Sequence, residues 1–197
     1  IKQVIGETTD ILATGESGAF AIAACHNNNS IIRKLILVNP PDIQKLAKIP
    51  DKRSKLFINL LQLPVIGTFI YNMLTGRKTT NKLFNEYYFY DPNFIDHDLI
   101  STYYETAHME SGSRYLLASI YGHYTTINLK HCLKTITNSI YFIIVGEKKN
   151  NVEITNIYHS ILPSIEIETI NETKQLPQLE KPFEFIDKAK MFLEEEF

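Results

Sequence analysis

The sequence predicts an α/β fold in which helices flank a mostly parallel sheet and a helical segment is inserted between two strands. Short, continuously apolar runs alternate with helix-prone segments, which is typical of parallel strands covered on both faces. One long stretch, residues 41–133, contains no convincing strand. The composition, with 44% hydrophobic and 21% charged residues, is that of a folded globular chain.

The first strand and helix are predicted close to residue 10. The run Asp10–Thr14 (DILAT) has the pattern of a strand, and an Ala-rich helix follows from about 18 to 26. A polar loop leads to a second apolar strand, Lys34–Asn39 (KLILVN), which the Pro-Pro pair at 40 and 41 ends. We therefore assign residues 1–40 to the core of the fold.

The C-terminal part of the chain repeats this alternation. Ser139–Glu147 (SIYFIIVGE) is a strand rich in β-branched and aromatic residues, and a helical segment follows at 151–162. Ser164–Asn171 alternates isoleucine with polar residues, as a half-buried strand does, and residues 181–197 place apolar side chains mostly on one helical face. We therefore assign residues 134–197 to the core as well.

The inserted residues 41–133 are assigned to a helical lid, because an all-helical segment of this length exceeds an ordinary connection between strands. Within it, Leu56–Gly76 contains no charged residue and has the length of a membrane span. Pro64 and Gly67 interrupt this segment. We therefore predict two short apolar helices that cover a hydrophobic pocket, and no membrane span.

Charge and cysteine content exclude several function classes. The net charge is −2 and the pI is near 6.3, so the whole-chain charge indicates neither nucleic acid nor an anionic membrane as a partner. Cys25 and Cys132 fit no metal-ligand spacing and are predicted to be buried in a reducing compartment. With no signal-peptide pattern visible, we expect a cytoplasmic protein that uses no metal or cofactor.

The segment Gly15-Glu16-Ser17-Gly18-Ala19 lies at the junction of the first strand and helix. Such a turn needs small residues around its apex, because strand and helix nearly touch. The pattern resembles the G-x-S-x-G nucleophile elbow of the α/β-hydrolase superfamily, with Ala19 as the last residue. The resemblance implies Ser17 as nucleophile and the Gly18 N–H as an oxyanion donor. A phosphate-binding nest and a turn without chemistry are the other interpretations.

Further blocks are similar to the same superfamily and follow in its order. The strand after the elbow helix is matched by IRKLILVNPPD, the strand and turn that present the acid by SIYFIIVGEKKN, and the segment behind the catalytic histidine by LPQLEKPFEF. The resemblance covers most of the chain outside the predicted lid. It implies a partial α/β-hydrolase fold and a serine hydrolase of the carboxylic-ester type acting on an apolar acyl substrate.

The chain departs from the family pattern at two functional positions. The acid position falls on Lys149 and the histidine position on Gln175, and neither side chain serves the role of the residue it replaces. Asp42, after the second strand, is an alternative acid. His108 and His123, in the predicted lid, are the remaining candidates for a base. We therefore expect impaired catalysis through Ser17.

Two further expectations follow from these departures. The alternative function is that of a non-catalytic hydrolase relative that binds a small hydrophobic ligand or a protein partner. The elbow strand, which is central in the family's sheet, is expected to have an open hydrogen-bonding edge here. Either a second copy of the chain, forming a homodimer, or a missing N-terminal segment is expected to cover that edge.

Overall fold

The computed structural model of the protein describes residues 4–110, 112–122, 127–146 and 151–194. Four strands form one parallel sheet in the order β1-β2-β3-β4. They are β1 (Thr9–Thr14), β2 (Ile32–Val38), β3 (Ser139–Val145) and β4 (Glu166–Ile170). A parallel sheet flanked by helices confirms the predicted fold class.

Eleven α-helices are present in the described residues. In chain order they are α1 (Ser17–Asn27), α2 (Ile43–Leu46), α3 (Lys52–Gln62), α4 (Pro64–Thr75), α5 (Arg77–Leu83), α6 (His97–His108), α7 (Ser113–Tyr121), α8 (Leu129–Thr135), α9 (Asn151–Ile161), α10 (Pro177–Glu180) and α11 (Pro182–Glu194). A π-helical turn (Phe84–Tyr88) and a 3-10 turn (Pro92–Phe94) lie between α5 and α6.

The chain divides into two compact units. We call them the core unit (Ile1–Ala47 and Ile127–Phe197) and the helical unit (Lys48–Thr126). The helical unit is shorter at both ends than the predicted lid of 41–133. The reason is that α2 and α8 pack with the sheet, α2 through Leu46 and α8 through Leu129 and Leu133, in one buried apolar cluster.

Helices cover both faces of the sheet in the core unit. Successive residues of β2 point to opposite faces, so Leu35 and Leu37 join one apolar cluster while Ile36 and Val38 join another. The first cluster includes residues of α1, α8 and α9, and the second includes residues of α11. Burial on both faces explains why residues 35–38 of β2 are continuously apolar.

The two cysteines lie in the first of these clusters. Both Cys25 and Cys132 are buried free thiols, as predicted. Burial raises the pKa of the Cys25 thiol to about 11. Cys25 therefore stays a protonated, apolar side chain at neutral pH.

β1 is an edge strand of the described sheet, and its pairing with β2 is irregular at Asp10. Asp10 Oδ1 accepts a hydrogen bond from the Lys34 N–H at 3.1 Å, and Oδ2 lies 2.5 Å from Arg33 Nη2. The hydrogen bond from Arg33 lowers the pKa of the Asp10 carboxyl. The Asp10 side chain thus accepts the Lys34 N–H at the point where the regular register is broken.

Among its described residues, the helical unit contains two small buried groups. One consists of Leu61, Tyr71 and Ala118, contributed by α3, α4 and α7. The other is an aromatic group around buried Phe84, whose ring lies 4.9 Å from that of Tyr103. Aromatic side chains therefore supply much of the packing in this unit.

The uncharged segment Leu56–Gly76 covers α3 from Leu56 onward and all of α4. A Cβ on Gly67 would lie 2.0 Å from the Leu61 carbonyl oxygen, so glycine is required for the close approach of the two helices. No single helix in the described part of the chain is long and apolar enough to cross a membrane. The pair α3 and α4 passes that test together by length and composition, with a bend of 107° between the two helices.

Candidate functional site

β1 passes into α1 through a tight turn at the carboxyl end of the sheet. Gly15 has φ +55°, a left-handed conformation that glycine adopts without strain, and its N–H donates to Val38 O at 2.8 Å. The Gly18 N–H donates to Gly15 O at 3.0 Å. Ser17 is the first residue of α1 and is exposed. The predicted serine therefore lies at a strand-to-helix turn.

The Ser17 hydroxyl is hydrogen-bonded to the backbone of β1. Its Oγ donates to Thr14 O at 2.7 Å and accepts from Thr14 N at 3.1 Å. Because the Gly15 N–H points to β2, alternation along the strand directs the N–H and C=O of Thr14 to the unpaired edge. Among the described residues, no histidine or carboxylate is hydrogen-bonded to Ser17.

Gly18 has a packing role that its position in the motif did not reveal. A Cβ there would lie 3.2 Å from Pro41 Cδ and 3.3 Å from Leu37 Cδ2. Its N–H is directed into the turn, to Gly15 O, in this structure. The assignment of that N–H as an oxyanion donor stays a prediction.

Asn39 lies immediately after β2 and connects its end to β3 through hydrogen bonds. The sequence analysis did not identify this residue. Its N–H donates to Ile143 O at 3.0 Å, and its Oδ1 accepts from Val145 N at 3.2 Å. The residue is buried and has φ +48°, a conformation that asparagine tolerates better than most residues. An asparagine between an apolar strand and a Pro-Pro pair was the available signal.

The loop after β4 carries Gln175, where the resemblance places the catalytic histidine. Asn39 Nδ2 donates to Lys174 O at 3.4 Å and to Gln175 O at 3.3 Å. Buried Glu180 of α10 accepts the Lys174 N–H at 2.8 Å through Oε2. Since carboxyl ends of parallel strands meet at one edge of a sheet, this loop and Ser17 lie at the same edge.

Solved structures of several hydrolases are similar to this chain in fold. A serine hydrolase from Cycloclasticus zankles is 12% identical with a TM-score of 0.67, and the match covers 98% of this chain and 66% of that one. The 2-hydroxy-6-oxo-6-phenylhexa-2,4-dienoate hydrolase from Rhodococcus sp. strain RHA1 is also 12% identical, with a TM-score of 0.69 and the same coverage. The chain has a partial α/β-hydrolase fold. The fold inferred from the sequence motifs is thereby confirmed.

A carboxylesterase structure from Nitrososphaera gargenis shares this α/β-hydrolase fold, with 12% identity, a TM-score of 0.59 and coverage of 94% of this chain and 64% of that one. The chain thus spans about two thirds of the length of these hydrolases. No protein-family model matches the sequence, and no curated protein matches it.

Asp42, which the sequence analysis predicts as an alternative acid, caps α2. Its Oδ1 accepts two backbone N–H groups of the first turn, the nearer at 2.8 Å. Close by, the hydroxyl of buried Tyr158 donates to Pro41 O at 2.8 Å. Burial raises the pKa of Tyr158, and the carboxylates of Glu16 and Asp42 raise it further. Asp42 and Glu16 are therefore near one buried hydroxyl, and the acid role of Asp42 stays a prediction.

The candidate bases do not complete a hydrolase triad in the described ranges. His108 Nε2 lies 3.2 Å from Thr75 Oγ1 and its Nδ1 lies 2.7 Å from Tyr104 O, so both ring nitrogens are engaged inside the helical unit. His123 and Lys149 lie outside the described residues. Within those that are described, no three His, Cys, Asp or Glu side chains come together to hold a metal ion.

Proposed function

We propose that the chain carries a serine hydrolase site of the carboxylic-ester type, with Ser17 as the nucleophile and the Gly18 N–H as one oxyanion donor. The observation that carries the proposal is an exposed serine at the strand-to-helix turn of a hydrolase fold. Structures similar to this chain include a serine hydrolase and a carboxylesterase, which supports a small ester substrate. The predicted preference for an apolar acyl group belongs to this proposal.

The proposed activity is low, because no described residue bonded to Ser17 could activate it. A nucleophilic serine must give its proton to a base, and here Oγ donates to the Thr14 carbonyl, which is no base at neutral pH. Gln175 at the histidine position has an amide that cannot take up the proton. The Gly18 N–H is bonded to Gly15 O, and loss of one oxyanion donor costs about 10²–10³ in turnover.

The open edge of β1 belongs to the same proposal. Leu12, in the middle of this strand, is 47% exposed, and an unpaired apolar edge is a template for strand addition. We propose that a second copy of the chain or a further segment N-terminal to it covers this edge. Light scattering on the purified chain tests the first source: dimers support it, and a monodisperse monomer contradicts it.

The test is labelling of folded protein with a fluorophosphonate probe, combined with hydrolysis of p-nitrophenyl butyrate. We expect slow labelling and slow hydrolysis, both lost in Ser17→Ala. The matched control is Ser160→Ala, because the Ser160 hydroxyl is also exposed and also donates to a backbone carbonyl, Ile157 O at 2.7 Å. Absence of any adduct, or an adduct that survives in Ser17→Ala, would remove Ser17 as the nucleophile.

A gain-of-function variant tests whether Gln175 and Lys149 occupy the positions of the family's histidine and acid. Gln175→His combined with Lys149→Asp restores the residue types of the family pattern, and a general base contributes about 10²-fold or more to such reactions. We expect at least a tenfold higher rate of p-nitrophenyl butyrate hydrolysis, dependent on Ser17. An unchanged rate in a folded double variant would mean that Gln175 does not occupy the position of the base.

A further inference from the structure

The helical unit carries a local excess of positive charge. Between residues 52 and 85 the sequence contains six Lys or Arg residues and no Asp or Glu, although the whole chain has a net charge of −2. They flank the uncharged segment Leu56–Gly76 on both sides, and all are exposed: Lys52, Arg53, Lys55, Arg77, Lys78 and Lys82. The whole-chain sum does not show this distribution, because the acidic residues of the helical unit lie outside the stretch, with Asp51 just before it and Glu86 just after it.

Most of this charge is not neutralised inside the unit. Lys82 lies 3.8 Å from Glu86, and Arg77 lies over the ring of Tyr104. The other four basic side chains form no ion pair with any residue that the structure describes. The flanks of the uncharged segment are therefore available to an anionic partner.

Between these flanks, α4 is apolar on two opposite faces. One face is buried in the helical unit, where the Tyr71 hydroxyl donates to Ala107 O at 2.6 Å. The other face exposes four large apolar side chains: Val65 (81% exposed), Ile66 (49%), Phe69 (70%) and Met73 (58%). With about 100° between successive residues, these four side chains span an arc of about 100°. Packing within the helical unit does not account for the second face.

We propose that the helical unit binds an anionic phospholipid surface, with the exposed face of α4 inserted among the lipids and the flanking basic side chains on the headgroups. A helix that lies in a membrane interface needs an apolar face and cationic flanks, and both are present here. Long Lys and Arg side chains reach from an apolar helix to the headgroups. The inference does not depend on Ser17.

A membrane span by α3 and α4, or a second copy of the chain on the exposed face of α4, fits the observations less well. The bend of 107° between α3 and α4 means that the two helices do not form one straight span, and α4 alone is about 18 Å long. A second copy seated on the same face would bring two sets of six like charges together, which opposes association. An anionic surface satisfies both the apolar face and the charge.

Tryptophan fluorescence provides a direct test, because the sequence contains no tryptophan. In Phe69→Trp, the only indole then lies on the exposed face of α4. We expect a blue-shifted emission on addition of phosphatidylcholine vesicles with 30% phosphatidylglycerol, reversed by 0.5 M NaCl, because salt screens the headgroup charge. The matched control is Phe183→Trp on α11, where Phe183 is 84% exposed, and its emission should not change.

Co-sedimentation with the same vesicles separates the two contributions. Phe69→Ser should lower the bound fraction about tenfold, because the variant lacks the Phe side chain that the lipids would bury. Lys55→Glu with Lys78→Glu should lower it at least tenfold, and Phe183→Ser should leave it unchanged, with far-UV circular dichroism confirming that each variant is folded. Equal binding to pure phosphatidylcholine, no binding at all, or an oligomer that Phe69→Ser dissociates without vesicles would each overturn the proposal.

Discussion

The core unit and the helical unit use their apolar side chains differently. In the core unit, the apolar runs of β2 and β3 are buried in two clusters, one on each face of the sheet. In the helical unit, apolar side chains lie on both the buried and the exposed faces of α4. Strand pairing fixes the side on which each residue of a strand lies, whereas nothing comparable orients an all-round apolar helix. Apolar sequence therefore predicts burial for β2 and β3 but not for α4.

The largest expected effect compares two phenylalanines. Phe142 of β3 is fully buried and its ring lies 4.9 Å from that of Tyr158, so Phe142→Ala should lower the free energy of unfolding by about 3–5 kcal/mol. Phe69 is 70% exposed, so Phe69→Ala should change it by less than about 0.5 kcal/mol. Urea denaturation measures both. A comparable loss of unfolding free energy in the two variants would contradict the difference in apolar burial between β3 and α4.

A smaller effect is expected where a polar side chain supports each unit. Asn39→Gly keeps a left-handed residue but leaves the buried Val145 N–H without its acceptor, which should cost about 2–3 kcal/mol. In the helical unit, Tyr71→Phe removes one hydrogen bond to Ala107 O and should cost about 1 kcal/mol. Urea denaturation of the two variants tests whether Asn39→Gly costs more stability than Tyr71→Phe. An equal or smaller cost for Asn39→Gly would contradict this expectation.

The smallest effect concerns ion pairs. Asp10→Asn should lower the free energy of unfolding by about 1 kcal/mol at pH 7, since Asp10 bonds both Arg33 and the Lys34 N–H. The pKa of Asp10 is lowered in the folded state, so this contribution is present above pH about 4 and is lost as the pH falls through the folded pKa.

The corresponding ion pair of the helical unit serves as the control. Glu86 and Lys82 are exposed neighbours on one helix surface, 3.8 Å apart, and Glu86→Gln should change stability by less than about 0.5 kcal/mol. Denaturation at pH 7 and pH 3 measures both variants. If the difference between Asp10→Asn and the unmodified chain does not shrink at pH 3, the carboxylate of Asp10 is not the group that stabilises β1.

The strands were predictable because their residues carry a strong local pattern. The strand predicted at 139–147 is β3 (Ser139–Val145), and the one predicted at 164–171 contains β4 (Glu166–Ile170). The helix predicted at 151–162 is α9 (Asn151–Ile161). In each case β-branched or periodic apolar residues decide the element, and its end varies by one or two residues.

The arrangement at the candidate site was less predictable. The motif located Ser17 at a strand-to-helix turn, but the bonds of its hydroxyl to Thr14 depend on which way the backbone of an edge strand points. Asn39 joins β3 and the loop that carries Gln175, across more than a hundred positions of the sequence, so no local pattern reveals its role. Strand order and backbone direction are needed before such contacts can be inferred.

The bonds between Ser17 and Thr14 link two properties of the molecule that are usually separate. A strand that paired with β1 as far as Thr14 would require the N–H and C=O of Thr14, and these are the groups that bond the Ser17 hydroxyl in this structure. Extending the sheet and freeing the serine would then be a single event. The reactivity of Ser17 Oγ would then show whether a further strand had added to β1.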